Sequence, residues 1–131
     1  MNADEHRLNA LTEQVIGCAY HVANRLGCGY LEKVYRNSMK RCLAKAGLTV
    51  ETEVPLPVVY EGAVVGEFYA DLIVEGIVLV ELKAVRELDE LHWAQCLNYL
   101  KACGLPVCLL LNFGNPKVQI KRFRAQQGGP R

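Results

Sequence analysis

At 131 residues, 51% of them apolar, the chain is long enough to close one hydrophobic core and too short for two ordinary ones, so residues 1–131 are read as a single domain. No stretch approaches the roughly 20 apolar residues of a membrane span, and MNADEHRLNA has no apolar signal region, so a cytoplasmic protein with no membrane partner is expected. The net charge of +1 hides a segregation: residues 51–90 carry ten of the fourteen acids against two bases, whereas residues 91–131 carry six bases and no acid. An acidic centre between basic segments suits a metal-dependent enzyme acting on a polyanion, although ordinary solvated faces give the same distribution.

Leu8, Leu11, Val15, Cys18, Ala19, Val22 and Leu26 recur at three and four, which predicts a first helix over about Asn9–Leu26, closed by Gly27 or Gly29. Leu31, Val34, Tyr35, Met39, Cys42, Leu43 and Ala46 predict a second helix that stops at Gly47 and pairs with the first as a hairpin. Lys33, Arg36 and Lys40 line its other side, as a phosphate-facing stripe or a solvated face. From Thr49 the period becomes that of a strand, with Pro55 and Pro57 favouring an edge position or an interruption. Glu61-Gly62 turns the chain into a strand over about Val64–Val74, and Glu75-Gly76 turns it into Ile77–Lys83, an antiparallel meander. A third helix follows over about Asp89–Ala102, then the continuous apolar strand PVCLLLN at Pro106–Asn112 and a last strand at Lys117–Phe123. A disordered tail is expected over about 124–131. With the third helix as a right-handed crossover, the fold class is α/β (α+β): a mixed sheet with helices packed on it. Cys18, Cys28, Cys42, Cys96, Cys103 and Cys108 lie within these apolar patterns without a CxxC pair and read as small core residues in a reducing compartment.

One stretch breaks the apolar pattern. Ile77, Leu79, Glu81 and Lys83 share a strand face, so a carboxylate and an ammonium project together from a core-like strand. Burying charge costs several kcal/mol unless it is paired or binds metal, and divalent metal chemistry is one explanation; a surface Glu–Lys pair at the strand end is another. Asp71, ten residues earlier on the preceding strand, joins Glu81 only if the turn between them holds three residues or a bulge, because a two-residue hairpin would place them on opposite faces. The odd register is the expectation. On the helices, Glu32 sits at the margin of its apolar stripe, and Gln95 falls among Leu88, Leu91, His92 and Tyr99; both can be satisfied core polar groups. His92 reads chiefly as a surface or hydrogen-bonded histidine, and Trp93 as a packing residue.

Asp71, then Glu81-x-Lys83 at a strand end after a ten-residue gap, resembles the signature of the PD-(D/E)XK nuclease superfamily, whose restriction-endonuclease-like core runs helix, three antiparallel strands, helix, strand. GCGYLEKVY, with Gly27, Gly29, Glu32 and Tyr35, is similar to the motif that names the GxxExxY branch. The similarity runs from about Leu11 to Phe123 and includes QCLNYL (Gln95, Tyr99) and LLLNFG (Leu109 to Gly114). The resemblance implies that Asp71 and Glu81 hold Mg²⁺, with Mn²⁺ as substitute, that Glu32 is an additional metal-site acid, that Lys83 is the catalytic lysine, and that Gln95 orients Lys83 or the phosphate. The chain departs at Ala70, where the signature has a proline that shapes backbone rather than chemistry. The expectation is a Mg²⁺-dependent nuclease cutting DNA ahead of RNA, with Lys33, Arg36, Lys40, Lys117, Lys121, Arg122 and Arg124 on backbone phosphates and a homodimer compensating for a small surface. The alternative is a catalytically silent module of the same fold that binds nucleic acid or a protein partner.

Overall fold

The computed structural model describes residues 2–125. The element order is α1 (Ala3–Leu26), α2 (Glu32–Lys45), β1 (Val50–Tyr60), β2 (Ala63–Val74), β3 (Val78–Lys83), α3 (Glu90–Cys103), β4 (Val107–Asn112) and β5 (Gln119–Arg124). The strands form one mixed sheet in the order β1-β2-β3-β4-β5, parallel only between β3 and β4. The helix α3 makes the crossover between these two strands. The proline-bearing β1 lies at the sheet edge, where a missing N–H costs no ladder bond.

Two apolar layers hold the sheet. On one face, Leu72, Val74, Val78, Val80, Leu82, Leu109 and Leu111 pack against α1 and α2. On the other, Ile73, Leu79, Cys108 and Leu110 pack against Cys96 and Leu100 of α3. Because β3 and β4 are covered on both sides, they read as unbroken apolar runs, interrupted by Glu81 and ended by the buried Asn112. Tyr35 and Phe113 stack at 4.6 Å within the first layer. The Tyr35 hydroxyl donates to the Gly27 carbonyl at 2.6 Å, which ties the start of α2 to the end of α1.

Two boundaries and one helix face differ from the sequence reading. Helix α1 begins at Ala3 rather than near Asn9, because the Asn2 side chain accepts from the Glu5 N–H and Asp4 and Glu5 occupy the first turn; that extension is capped by polar residues and carries no apolar period. Helix α3 turns Trp93, Cys96, Tyr99 and Leu100 inward and leaves Leu91 69% exposed, so the stripe grouping Leu91 with Gln95 is not the packed one. Arg124 belongs to β5, opposite Val107, and the Ala125 N–H bonds the Pro106 carbonyl. The rest of the expected tail lies outside the described residues.

Candidate active site

The turn joining β2 to β3 settles the register. Val74 pairs with Val78 and Leu72 with Val80, leaving Glu75, Gly76 and Ile77 as a three-residue loop. Glu75 and Gly76 both take left-handed backbone, at φ 54° and 66°. The register places Asp71 opposite Glu81, as a shared site requires.

Beyond Leu72 the regular ladder between these strands stops, and side chains take over its bonds. The Leu82 N–H donates to Asp71 Oδ2 at 2.8 Å, and the Asp71 N–H donates to Glu81 Oε1 at 3.3 Å. On its other side Asp71 meets a second interruption: the β1–β2 ladder holds Thr52 to Leu72 and Val54 to Ala70 but leaves out Glu53 and Asp71. Across that break β2 changes face, with Leu72 and Val74 in the α1/α2 layer but Ala70 and Phe68 in the α3 layer. Asp71 sits at the twist, splayed from both neighbours.

Glu81 is only 5% exposed. Burial, first, then the Asp71 charge and a hydrogen bond with Asp71, push its carboxyl up to about 9. No ion pair joins Lys83 to either carboxylate among the described residues, so the strand-end Glu–Lys pair is not formed. Lys83 is half-buried, and its charge acts on the Cys96 thiol of α3. Its segment is fixed on every side: the Phe113 N–H donates to the Lys83 carbonyl at 2.8 Å, while Asn112 accepts from the Val85 N–H and donates to the Val85 carbonyl, both at 2.9 Å.

Asn112 is the residue that sequence reasoning missed. Fully buried, it also accepts from the Gly114 N–H and donates to Gln119 Oε1. The available signal was one amide closing an apolar run that is buried on both faces. Arg36 was the other omission, as a partner of Asp71 at 3.5 Å and Glu53 at 3.0 Å rather than as a free cation of the α2 stripe.

The remaining expected residues are scattered. Glu32 is exposed at the start of α2, one helical turn before Arg36. Among the described residues no three Asp, Glu, His or Cys side chains converge to hold an ion, so Glu32 is not brought beside Asp71 and Glu81 as a third ligand. Gln95 is half-buried on α3. His92 completes a capping box with Asp89, accepting its N–H at Nδ1. Lys33, Lys40 and Lys117 are exposed, whereas Arg122 bonds Asn9, Arg124 pairs with Glu5, and Lys121 lies 5.1 Å over the Trp93 ring.

The Asp71–Glu81 donor set fits a hard divalent cation. Two adjacent carboxylate groups supply oxygen ligands; burial first, and the Asp71 charge second, raise the Glu81 carboxyl, and a cation would offset both. With only two protein ligands, a bound ion would have to keep several waters, as Mg²⁺ readily does.

The family model described as the PD-(D/E)XK nuclease superfamily matches residues 9–123. No curated relative and no solved structure matches the chain. The match spans most of the chain, over a five-stranded mixed sheet with three helices of restriction-endonuclease-like kind, and on these grounds the chain belongs to the PD-(D/E)XK nuclease superfamily.

Proposed function

We propose that the chain is a Mg²⁺-dependent nuclease that hydrolyses phosphodiester bonds, DNA ahead of RNA, and that it belongs to the GxxExxY branch through Gly27, Gly29, Glu32 and Tyr35. One observation carries the reading. The odd register faces Asp71 with a nearly buried Glu81 where the ladder opens, with Lys83 two residues on and free of an ion pair among the described residues. A structural role gives no reason to face a buried carboxyl on one strand with a second carboxylate on its neighbour.

In this mechanism Asp71 and Glu81 would hold the ion, with Glu32 assisting through water. A bound Mg²⁺ or Mn²⁺ supplies Lewis acidity and a more acidic water. Lys83 positions or deprotonates the attacking water, or stabilises the charge that grows on the phosphoryl oxygens. Its fixed backbone, pinned by Phe113 and Asn112, holds that geometry. Gln95 orients Lys83 or the phosphate, and the exposed Lys33, Lys40, Lys117 and Lys121 bind the backbone without reading sequence. A reducing cytoplasmic setting is supported by six free cysteines. Among the described residues no helix is long and apolar enough to cross a membrane. A homodimer would cover the apolar end of the β1–β2 arm, where Val59, Tyr60, Val64 and Val65 are each at least 60% exposed.

Cleavage of plasmid DNA, single-stranded DNA and RNA with Mg²⁺ or Mn²⁺, by wild type and Lys83→Ala, tests the reading. Loss of about 10²-fold or more in rate is expected for the variant. Equal rates for the two proteins would refute the role of Lys83. Failure of the wild type to cut any polynucleotide would favour the silent binding module.

A further inference from the structure

Arg36 lies between two carboxylates that come from different strands. Its guanidinium is 3.0 Å from Glu53 Oε1 and 3.5 Å from Asp71 Oδ1, and its side chain is only 18% exposed. Glu53 reaches it from a backbone at φ 49°, a conformation uncommon for a residue with a side chain. That residue occupies the break in the β1–β2 ladder opposite Asp71, so the same interruption that splays Asp71 also delivers Glu53 to α2. Strain of this kind persists where the surroundings hold it in place.

We propose that Arg36, steered by Glu53, is a positioning residue that sets the affinity of the Asp71–Glu81 pair for a divalent cation; the inference rests on the reading of that pair as cation ligands. Asp71 Oδ2 accepts the Leu82 N–H and Oδ1 faces Arg36, so each oxygen keeps a lone pair for an ion, and an ion on this carboxylate would lie close to the guanidinium. A guanidinium and a divalent ion on one carboxylate repel each other, and the half-buried setting screens that repulsion poorly. Arg36 therefore weakens cation binding. Glu53 opposes it by drawing the guanidinium to the closer position and away from Asp71.

The two side chains thus have opposite effects, and the second acts through the first. Arg36→Gln tightens Mn²⁺ binding roughly tenfold. Glu53→Gln, which leaves Arg36 free to close on Asp71, weakens it several-fold. The double variant binds like Arg36→Gln. Titration of the metal-free protein with Mn²⁺ at fixed pH and ionic strength, followed by calorimetry or by the free-Mn²⁺ resonance signal, measures all four affinities without any turnover. Arg36→Lys keeps the charge and should stay near wild type, and Glu53 is 63% exposed, so these two variants carry the test if Arg36→Gln does not fold. A wild type that binds Mn²⁺ with all variants unchanged overturns this inference and leaves the ligand pair standing. Weaker binding by Arg36→Gln overturns it as well, as does an undiminished Glu53→Gln effect in the double variant. A wild type that binds no Mn²⁺ overturns the ligand pair itself, and this inference with it.

Discussion

Glu81 sits in the most enclosed part of the sheet, between β2 and β4, and its carboxyl is pushed up to about 9 by burial first and the Asp71 charge second. Unfolding returns the group to the ordinary carboxyl range, near 4.5. The native state therefore binds the extra proton across that interval. Its contribution is fully present below about 4.5 and is lost as pH rises toward about 9, by an amount on the order of a few kcal/mol. Glu81→Gln keeps the shape of the protonated acid and cannot ionise. In a chelator, thermal unfolding of this variant should match wild type near pH 5 and exceed it by several degrees at pH 8. An offset that does not change with pH would mean that the carboxyl is not held in its neutral form. Saturating Mg²⁺ should narrow the pH 8 gap from the wild-type side, because only wild type retains both ligands. At this scale the sequence was informative where a charge interrupted an apolar strand. It gave only a weak signal where a polar side chain turned inward at a strand end, as the amide Asn112 does in closing an apolar run.

At the scale of elements, the site depends on how β3 leaves the sheet. Asn112 clamps both backbone groups of Val85, and Gly114 runs so close to that residue that an added Cβ would lie 2.0 Å from the Val85 carbonyl oxygen. No side chain fits there without moving the segment that carries Lys83. Gly114→Ala should lower the stability by more than the roughly 1 kcal/mol expected of an ordinary glycine replacement, read as a fall in the unfolding midpoint. Any folded fraction should cleave with reduced kcat and little change in KM, since the ligand carboxylates stay in place. A midpoint indistinguishable from wild type would show that the β3 exit has slack. The three-residue turn was legible because Asp71 and Glu81 make chemical sense in only one register. The break at Glu53 was not, since a glutamate in left-handed backbone leaves no mark in the sequence. The inward face of α3 was misread because the exposed Leu91 imitates a core position.

Across the whole molecule, the basic residues that sequence reading grouped as one phosphate-binding set separate into different surroundings. Arg124 pairs with Glu5 and Arg122 bonds Asn9, so both fasten β5 to α1. Arg36 is shared between Glu53 and Asp71. Lys33 and Lys40 remain exposed on α2, and Lys40 borders an open depression with Arg41 and Lys45. Charge order along the chain foretold the segregation of acids and bases but not which bases would be spent on acids of distant elements, because those pairings depend on the packing of α1 and α2 against the sheet. The two groups should behave differently on a polynucleotide. Removing one phosphate-neutralising cation reduces the slope of log affinity against log salt by about 0.9 on duplex DNA or about 0.7 on a single strand. Lys33→Ala and Lys40→Ala should therefore weaken binding similarly on unrelated sequences, and each should flatten the salt dependence by about that amount. Arg124→Ala should leave that slope unchanged and lower the melting point only slightly, as expected when an exposed pair is removed. Measuring affinity at several salt concentrations in Ca²⁺, with a melting curve for each variant, separates the two outcomes. A slope that falls for Arg124→Ala and not for the α2 lysines would remove Lys33 and Lys40 from the nucleic-acid surface and leave it at β5, with Lys121.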